Sequence, residues 1–488
     1  MTAETAHCQS KAAMLMTPVN RPFDATLEIP GSKSYTIRAL LLAALTASQT
    51  GETITLKNPL LSDDTEAAMA CLKTLGLALN ITYSDSETAP RCATAISVSG
   101  NVFSPANANR TLHMNTRLSA ATLRFFLALA TVIPGQKILQ GLPGLNKRPV
   151  KDLVEALTAL GAEITYLEKP GYPPVQITSS ALSADKMTVS GRISSQYTSA
   201  LLMIAPLINP LESPNTPLTI QLSEPPVSQP YLRMTTTVMA SFGVPVAASD
   251  HALTRFEIAR PSNYNLGPTN NTFTIEPDAS SMAYPLAIAA LTRSKISIPN
   301  LNPQSAQADM AIIAILENQM GATVTWTSDT QNSAQQTLTL TGHGVSPVDL
   351  DMRDCPDQAQ TIAVLAAFAS GTSQLHGLQS LRVKETDRLA ALEAELSKLG
   401  VAVCIRENTL VIDGGLLEKK LPKNVSIATY GDHRMAMAFA IAGAVIPGLI
   451  IEDPDVVNKT YPTYWQALQS LGIHVQAIPE PTSVGSVL

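Results

Sequence analysis

The sequence predicts an α/β protein built from six similar units that are divided between two domains. A chain of 488 residues is too long for one ordinary hydrophobic core, which favours two or more domains. A pair formed by an apolar residue and glycine closes a helical segment six times, with successive glycines 72 to 85 residues apart. Glycine is the residue expected just past a helix end. The six pairs are Leu75-Gly76, Leu160-Gly161, Phe242-Gly243, Met320-Gly321, Leu399-Gly400 and Leu471-Gly472.

The six units share the same interior. A small polar turn leads into a helix rich in Ala and Leu, as in residues 38–45 and 284–291. A strand follows, for example residues 53–56, then the second helix that ends at the glycine, and then closing strands. Helices of this composition are buried on most sides, which predicts an inner helical layer under sheets. Because a period of about 80 residues is too long for a solenoid, we expect two domains of three units each.

Composition excludes several classes of protein. The net charge of −6 gives no global field for nucleic acid, so any binding site for anions has to be local. No apolar run reaches the roughly 18 residues that a membrane span needs, and we expect no membrane partner. The five cysteines are widely spaced without a CxxC motif, which favours a reducing, cytoplasmic location over a disulfide framework or a zinc site. Residues 1–20 are expected to be a mobile leader, and the protein a monomer.

Unusual polar residues concentrate in the turns that precede the helices. Residues 30–34 (PGSKS) combine a glycine and two serines, which let the backbone approach a ligand, with a lysine as a point charge. They lack the GxxxxGK[ST] spacing of a nucleoside-triphosphate loop, and no turn has the spacing of metal ligands. Equivalent turns supply further cations, and a net-acidic protein that concentrates them there is built to hold polyanions. These cations are Lys33, Arg38, Arg124, Arg148, Lys384, Arg388, Arg434 and Lys459.

The fifth unit holds the densest turn, residues 382–388 (RVKETDR). By itself this stretch fits a solvated, salt-bridged helix start. Thr386 or Asp387 can cap the following helix, so the charges are expected at the positive end of its macrodipole, where anions bind well. Asp357 and Glu385 belong to the same set of turns and could move protons. Leucines at 389, 392, 396 and 399 predict one buried stripe along the helix.

Taken in order, the turns PGSKS, SSQ, SxPY, PDxxxT, RVKETDR, GDHRMAM and NKTYP resemble those of the 5-enolpyruvylshikimate-3-phosphate (EPSP) synthase family. The resemblance covers residues 28 to about 475. It implies a two-domain, inside-out α/β barrel with three βαβαββ units in each domain. It also places one domain at residues 32–276 and the other at residues 1–31 and 277–488.

The resemblance implies transfer of the carboxyvinyl group of phosphoenolpyruvate to the 5-hydroxyl of shikimate 3-phosphate, with release of phosphate. The route is addition followed by elimination through a tetrahedral ketal, without a metal or an organic cofactor. Both substrates carry several negative charges, which explains the concentration of Lys and Arg.

Individual roles also follow from the resemblance. Asp357 would take the proton of the 5-hydroxyl, and Glu385, with Lys33 beside it, would deliver and later recover a proton at the methylene carbon. Shikimate 3-phosphate would be held by Lys33, Ser34, Arg38, Ser194, Ser195, Gln196, Ser228, Tyr231, Asp357 and Lys384. Phosphoenolpyruvate and its departing phosphate would be held by Lys33, Arg124, Arg148, Gln196, Arg388, Arg434 and Lys459.

One motif departs from the family pattern. The family has Gly-Asn-Ala/Ser-Gly-Thr ahead of the arginine at 124, where this chain has residues 117–123 (RLSAATL). Leu118 replaces an amide, Ala120 replaces the glycine that lies against phosphoenolpyruvate, and Ala121 replaces a hydroxyl. In the family, the herbicide glyphosate occupies the same subsite against that glycine. The resemblance therefore implies a synthase resistant to glyphosate that also binds phosphoenolpyruvate less tightly.

Two other functions stay open at this point. The related enolpyruvyl transferase that acts on UDP-N-acetylglucosamine uses a cysteine on a mobile loop, and none of the five cysteines here lies in a comparable segment. Its Lys-Asn pair near the start is Lys33-Ser34 in this chain. A non-catalytic relative that binds a phosphorylated ligand would be favoured by loss of Asp357 or Glu385, and both are present.

Overall fold

The computed structural model of the protein describes residues 12–84, 92–178, 181–192, 194–248, 252–329 and 332–479. In chain order, the first part of the fold consists of β1 (Ala12–Thr17), β2 (Asp24–Thr26), α1 (Lys33–Thr50), β3 (Ile54–Lys57), α2 (Asp63–Thr74), β4 (Ala78–Tyr83), β5 (Ala93–Ser99), β6 (Thr111–Asn115), α3 (Ala120–Val132), β7 (Gln136–Gln140), α4 (Lys151–Ala159), β8 (Glu163–Tyr166), β9 (Val175–Thr178), β10 (Lys186–Val189), α5 (Ser195–Ile204), β11 (Leu218–Leu222), α6 (Pro230–Ser241), β12 (Val246–Ala248), β13 (Arg255–Ile258) and β14 (Thr272–Thr274).

The second part consists of α7 (Ala279–Leu291), β15 (Lys295–Leu301), α8 (Ala311–Asn318), β16 (Thr323–Asp329), β17 (Asn332–Thr341), β18 (Asp349–Asp351), α9 (Ala359–Phe368), β19 (Thr372–His376), α10 (Arg388–Lys398), β20 (Ala402–Arg406), β21 (Thr409–Asp413), β22 (Ser426–Ile427), α11 (His433–Gly443), β23 (Ile450–Glu452), α12 (Tyr464–Ser470) and β24 (His474–Pro479). None of the helices in the described ranges is long and apolar enough to cross a membrane.

The described strands form six four-stranded sheets with one shared topology. In each sheet, two parallel strands are followed by two strands that pair antiparallel, as in the order β6-β7-β9-β8. The predicted interior of helix, strand, helix and closing strands is therefore confirmed, with one further strand ahead of the first helix. The glycines that close the second helices have φ between 81° and 104°, the left-handed conformation of a helix C-terminus.

Three of the sheets take one strand from a distant part of the chain. The first unit is completed by β14, the fourth by β2 and the sixth by β1. Residues 12–17 therefore correct the prediction that residues 1–20 form a mobile leader. They form β1, which pairs with β23 and β24, and the side chains of Ala13 and Met16 are fully buried. Residues 1–11 lie outside the described part of the chain.

The apolar side chains form two separate cores. One extends from Tyr35 to Ile275, and the other contains Met16, Ile29 and side chains from Ala279 to Ile473. Three Ala- and Leu-rich helices lie inside each core, α1, α3 and α5 in the first and α7, α9 and α11 in the second. Small side chains let these helices approach closely under the sheets. The predicted fold class, a mixed α/β fold in two domains, is confirmed.

The chain passes between the two cores through two adjacent segments. Gly31 forms a β-bridge with Pro277, the Ser32 N–H donates to the Glu276 carbonyl (2.8 Å), and the Asp278 N–H donates to the Pro30 carbonyl (2.8 Å). A Cβ atom at position 31 would overlap the carbonyl oxygen of Asn58. This position therefore requires glycine because the backbones lie too close for any side chain.

Replacing Gly31 with Ala is expected to destabilise the fold by about 1–3 kcal/mol, because the added Cβ overlaps the Asn58 carbonyl and the backbone has to shift to make room. Thermal unfolding of the full chain measures this as a lower Tm. Gly144→Ala is the matched control, since a Cβ there meets only Leu118 Cδ2 at an ordinary 3.4 Å. Equal Tm values for the two variants would contradict the steric account of the crossing.

Candidate active site

A cavity of about 280 Å³ with many charged and polar side chains lies between the two cores. Residues within two positions of the start of each of the six inner helices line it: Lys33, Ala120, Ser195, Ser280, Asp357 and His433. Helix N-termini present free N–H groups and the positive end of the macrodipole, and both favour anions. The repeat thus brings six such ends to one place.

Asp357 lies at the centre of a cluster of cations. Its carboxylate accepts from Arg434 (2.9 Å), Arg388 (3.0 Å) and Lys384 (3.3 Å), and from the hydroxyl of Tyr231 (3.2 Å). Burial would raise the pKa of this carboxyl, but the three cations together hold it well below its usual 3.8. Asp357 is therefore ionised at neutral pH, in the state a general base requires.

Glu385 is held by three cations as well. Its partners are Arg388 (3.0 Å), Lys459 (3.1 Å) and Arg148 (3.3 Å), and Arg148 reaches it from the opposite core. Burial opposes ionisation, but Lys459, Arg388 and Arg148 hold the pKa of Glu385 well below its usual 4.5. Acids and cations alternate across the cavity, so neither wall is simply positive.

Arg388 and Arg434 are both fixed by Asp432. The Asp432 carboxylate accepts from Arg388 Nε (2.7 Å) and Nη2 (3.2 Å), and from the backbone N–H of Arg434 (2.9 Å), which caps α11. Both arginines then extend to Asp357. Asp387 caps α10, as predicted, by accepting from the Ala390 N–H (3.2 Å), and the four leucines that follow are buried.

The opposite wall belongs to α3, α5 and α6. Arg124 donates to Gln196 Oε1 (2.6 Å) and Ser194 Oγ (3.3 Å), and its guanidinium lies over the ring of Tyr197. Ser194 also caps α5. Arg38 is more restricted, because its donors bond Thr235 Oγ1 (2.8 Å) and the Ser34 carbonyl (3.0 Å).

The structure brings every predicted site residue to this cavity. Fifteen of the sixteen contribute to its lining, and the remaining one, Lys459, contacts Glu385 from behind it. Within the described ranges, no group of three or more His, Cys, Asp or Glu side chains could hold a metal ion. The cysteines in those ranges are all unbridged, and none of them lines the cavity.

Several other residues line the cavity that were not among the predicted site residues, and they include Asp64, His433 and Thr460. Asp64, which belongs to α2, accepts from Lys33 Nζ (3.2 Å) and is almost fully buried. Burial, followed by the charge of Lys33, holds the pKa of His433 well below 6.5, so its imidazole is neutral. Nothing near Asp64 in the sequence signals its position, because an acid in the first turn of a helix is an ordinary feature.

The turn at residues 117–121, whose sequence departs from the family pattern, also borders the cavity. Ala120 and Ala121 line it, and Ala120 is the first residue of α3. The Leu118 side chain is 44% exposed, while its carbonyl accepts from Lys459 Nζ (3.2 Å) across the cleft. The turn therefore contributes apolar Cβ atoms and one carbonyl to the cavity in place of an amide and a hydroxyl.

Fold and cavity together define a two-domain α/β protein whose cleft is lined by cations and helix N-termini suited to small polyanions and holds two buried carboxylates. The family model of EPSP synthase (3-phosphoshikimate 1-carboxyvinyltransferase) matches residues 19–468. The chain is 36% identical over 456 residues to the 3-phosphoshikimate 1-carboxyvinyltransferase of Shewanella sediminis, covering 93% of this chain and 98% of that protein. The enzyme of the same name from Mannheimia haemolytica is 36% identical over 460 residues, covering 94% and 99%.

A solved structure points to the same fold. EPSP synthase from Acinetobacter baumannii superposes with a TM-score of 0.74 at 21% identity, covering 96% of this chain and 100% of that chain. This chain therefore belongs to the EPSP synthase family.

Proposed function

We propose that the protein transfers the carboxyvinyl group of phosphoenolpyruvate to the 5-hydroxyl of shikimate 3-phosphate, releasing phosphate. The observation that carries this proposal is the position of Asp357 and Glu385, which lie among cations from both cores where six helix N-termini meet. Two multiply charged substrates need such a site, because preorganised cations and helix ends replace the hydration that the anions lose.

In the addition step, Asp357 accepts the proton of the 5-hydroxyl while that oxygen bonds to C2 of phosphoenolpyruvate. Glu385 gives a proton to C3, and the methylene becomes a methyl group in a tetrahedral ketal. In the elimination step, Glu385 takes a methyl proton back, the C2–O bond to phosphate breaks, and the double bond forms again, while the departing phosphate takes up the proton that Asp357 received. Lys33 lies at the start of α1 with Asp64 as its partner, where it can orient the reacting carboxyvinyl group.

Glu385 can act as an acid only when it carries a proton, and binding of phosphoenolpyruvate favours its protonation. The cations that lower its pKa are Arg148, Arg388 and Lys459, the same residues that we assign to phosphoenolpyruvate. Negative charge from the substrate offsets these cations and raises the pKa of Glu385 toward the range in which it can carry a proton.

The remaining site residues divide between the substrates as the family pattern assigns them. Shikimate 3-phosphate contacts the wall of α1, α5 and α6, whose residues include Ser34, Ser195, Ser228 and Tyr231. Phosphoenolpyruvate lies between Arg124 and Arg148 on one side and Arg388, Arg434 and Lys459 on the other. We also propose the domain bounds 32–276 and 1–31 with 277–488, because the segments that cross between the cores meet at these positions. Since one chain supplies all of these groups, we infer a monomer, and the scattered cysteines favour the cytoplasm.

The proposal predicts that the protein releases phosphate only when phosphoenolpyruvate and shikimate 3-phosphate are both present. A colorimetric phosphate assay, with mass spectrometry of the enolpyruvyl product, measures this directly. UDP-N-acetylglucosamine in place of shikimate 3-phosphate tests the related transferase activity. Turnover with that acceptor alone, or no turnover with either, would overturn the proposal.

A further inference from the structure

Helix α10 carries a second buried charged residue besides Arg388, and the reaction does not use it. Glu395 follows Arg388 by seven residues, which is two helical turns, so the two side chains lie on one face of the helix. Both are essentially inaccessible to solvent. That face packs on the segment that leads from β22 into α11 and contains residues 428–432, here called the 428–432 turn.

Glu395 holds the beginning of this turn by two hydrogen bonds. One carboxylate oxygen accepts from the backbone N–H of Ala428 (3.1 Å), and the other accepts from the hydroxyl of Tyr430 (2.6 Å). Burial, together with the bond to Glu395, raises the pKa of Tyr430 to about 12, so its hydroxyl remains a donor at every working pH.

The turn needs such support because its backbone is unfavourable. Tyr430 has φ of 55° and Gly431 has φ of 67°, two left-handed residues in succession. A non-glycine residue in that region persists only where its surroundings fix it. Without the two acceptors of Glu395, Tyr430 would lose the contact that holds it there.

The end of the turn is Asp432, which fixes the two arginines of the site. It bonds Arg388 through two nitrogens and caps α11 at Arg434. A change in the backbone at residues 428–431 is therefore expected to move Asp432, and with it the Arg388 guanidinium and the helix start that carries Arg434, both of which reach Asp357. The face of α10 thus clamps the 428–432 turn at both ends, by Glu395 at the first and Arg388 at the last.

We propose that Glu395 is a positioning residue whose two carboxylate oxygens hold the 428–432 turn, and through Asp432 align Arg388 and Arg434 for phosphoenolpyruvate. This inference rests on the proposed function, because it assigns both arginines to that substrate. Glu395 also pairs with Lys398 (2.7 Å), which is 43% exposed, so a purely stabilising ion pair is the competing explanation. The two explanations differ, because a turn needs hydrogen-bond acceptors whereas an ion pair needs charge.

The test compares Glu395→Met with Glu395→Gln. Methionine keeps the size of the side chain and removes both acceptors. Glutamine removes the charge but can keep a hydrogen bond to each partner, since its carbonyl can accept from the Ala428 N–H while its amide donates to the Tyr430 oxygen. We expect Glu395→Met to raise KM for phosphoenolpyruvate about tenfold, as loss of a buried hydrogen-bond partner predicts, with KM for shikimate 3-phosphate nearly unchanged. Glu395→Gln should largely restore the wild-type value.

Glu393→Met is the matched control. Glu393 lies on the same helix and accepts from the Ile405 N–H (3.1 Å), away from the turn, so its KM values should equal those of the wild type. All assays are run well below the Tm of each variant. An unchanged KM for phosphoenolpyruvate in Glu395→Met overturns the proposal, and so does a Glu395→Gln variant as impaired as Glu395→Met, which would identify an ion-pair effect.

If Glu395→Met does not fold, Tyr430→Phe tests the same proposal. It removes one bond to Glu395 and should raise KM for phosphoenolpyruvate in the same direction by a smaller factor. An unchanged KM in that variant would then overturn the proposal. Absence of turnover in the wild type is a different result, because it rejects the proposed function itself.

Discussion

Replacing Asp357 with Asn, or Glu385 with Gln, is expected to lower kcat by about 10²–10⁴-fold, the range for a positioned proton-transfer group. The amides keep the size of the carboxylates but cannot exchange a proton at neutral pH, and the oxygen that becomes NH2 no longer accepts from its cationic partners. Substrate affinity should change much less, since the surrounding cations stay in place. Steady-state kinetics with both substrates at neutral pH measures the two effects separately.

The same cations also make the two carboxylates contribute to stability. Because they lower both pKa values, that contribution is complete above the usual carboxyl range and is lost as pH falls through the lowered values. Each variant should therefore have a lower Tm at neutral pH, and the assays have to run below it. Asp185→Asn is the control, since it breaks an ion pair with Arg260 (3.0 Å) away from the cavity. Turnover near that of the wild type in both site variants would reject their roles in proton transfer.

Replacing Ala120 with Gly is expected to increase inhibition by glyphosate by roughly 5–150-fold, which corresponds to the 1–3 kcal/mol of an overpacked site. The Ala120 methyl group lies on the cavity wall at the first position of α3, where the family has glycine. This methyl group should weaken binding of glyphosate, the longer molecule, more than binding of phosphoenolpyruvate, the shorter one. The site should therefore discriminate against the inhibitor. Inhibition curves for the wild type and the variant, measured at equal saturation with phosphoenolpyruvate, compare the two directly.

Ala311→Gly is the matched control for this substitution. Ala311 is the first residue of α8 and does not line the cavity, so the change tests the effect of glycine on a helix start alone. KM for phosphoenolpyruvate should be higher in the wild type than in family members that keep the motif. It should fall only partly toward their value in Ala120→Gly, because Leu118 and Ala121 still lack the hydrogen-bonding groups of the family. A wild type already inhibited as strongly as the glycine variant would show that this steric account of the turn is wrong.

Local patterns in the sequence were sufficient for the repeat and for the charged turns, whereas the individual site residues came from the family resemblance. The spacing of the six helix-closing glycines and the Ala- and Leu-rich segments depend on residues close together in the chain, and the structure contains both. The charged turns could be found for the same reason, because each begins a helix and the repeat places those beginnings at equivalent positions. The assignment of Asp387 as a cap followed from the same local chemistry.

Contacts between distant segments could not be predicted in this way. No local pattern indicates that residues 12–17 complete the sixth sheet, and the short apolar stretch resembled a leader. The pairing of Lys33 with Asp64 joins two helices that have no shared motif. Glu395 is one more glutamate on a helix until its two acceptors are seen to meet the 428–432 turn.

The sequence by itself determined the six units, the Ala- and Leu-rich inner helices and the chemical types of the groups at their N-terminal ends, because periodicity and capping act over a few residues. Only the tertiary structure decided which acid meets which cation, how Arg148 reaches Glu385 across the cleft, and that the buried carboxylate of Glu395 meets the 428–432 turn. Those outcomes depend on contacts between segments from 31 to 237 residues apart (Asp357 to Arg388 and Arg148 to Glu385), and burial and charge pairing become defined only when the two cores pack around the cavity.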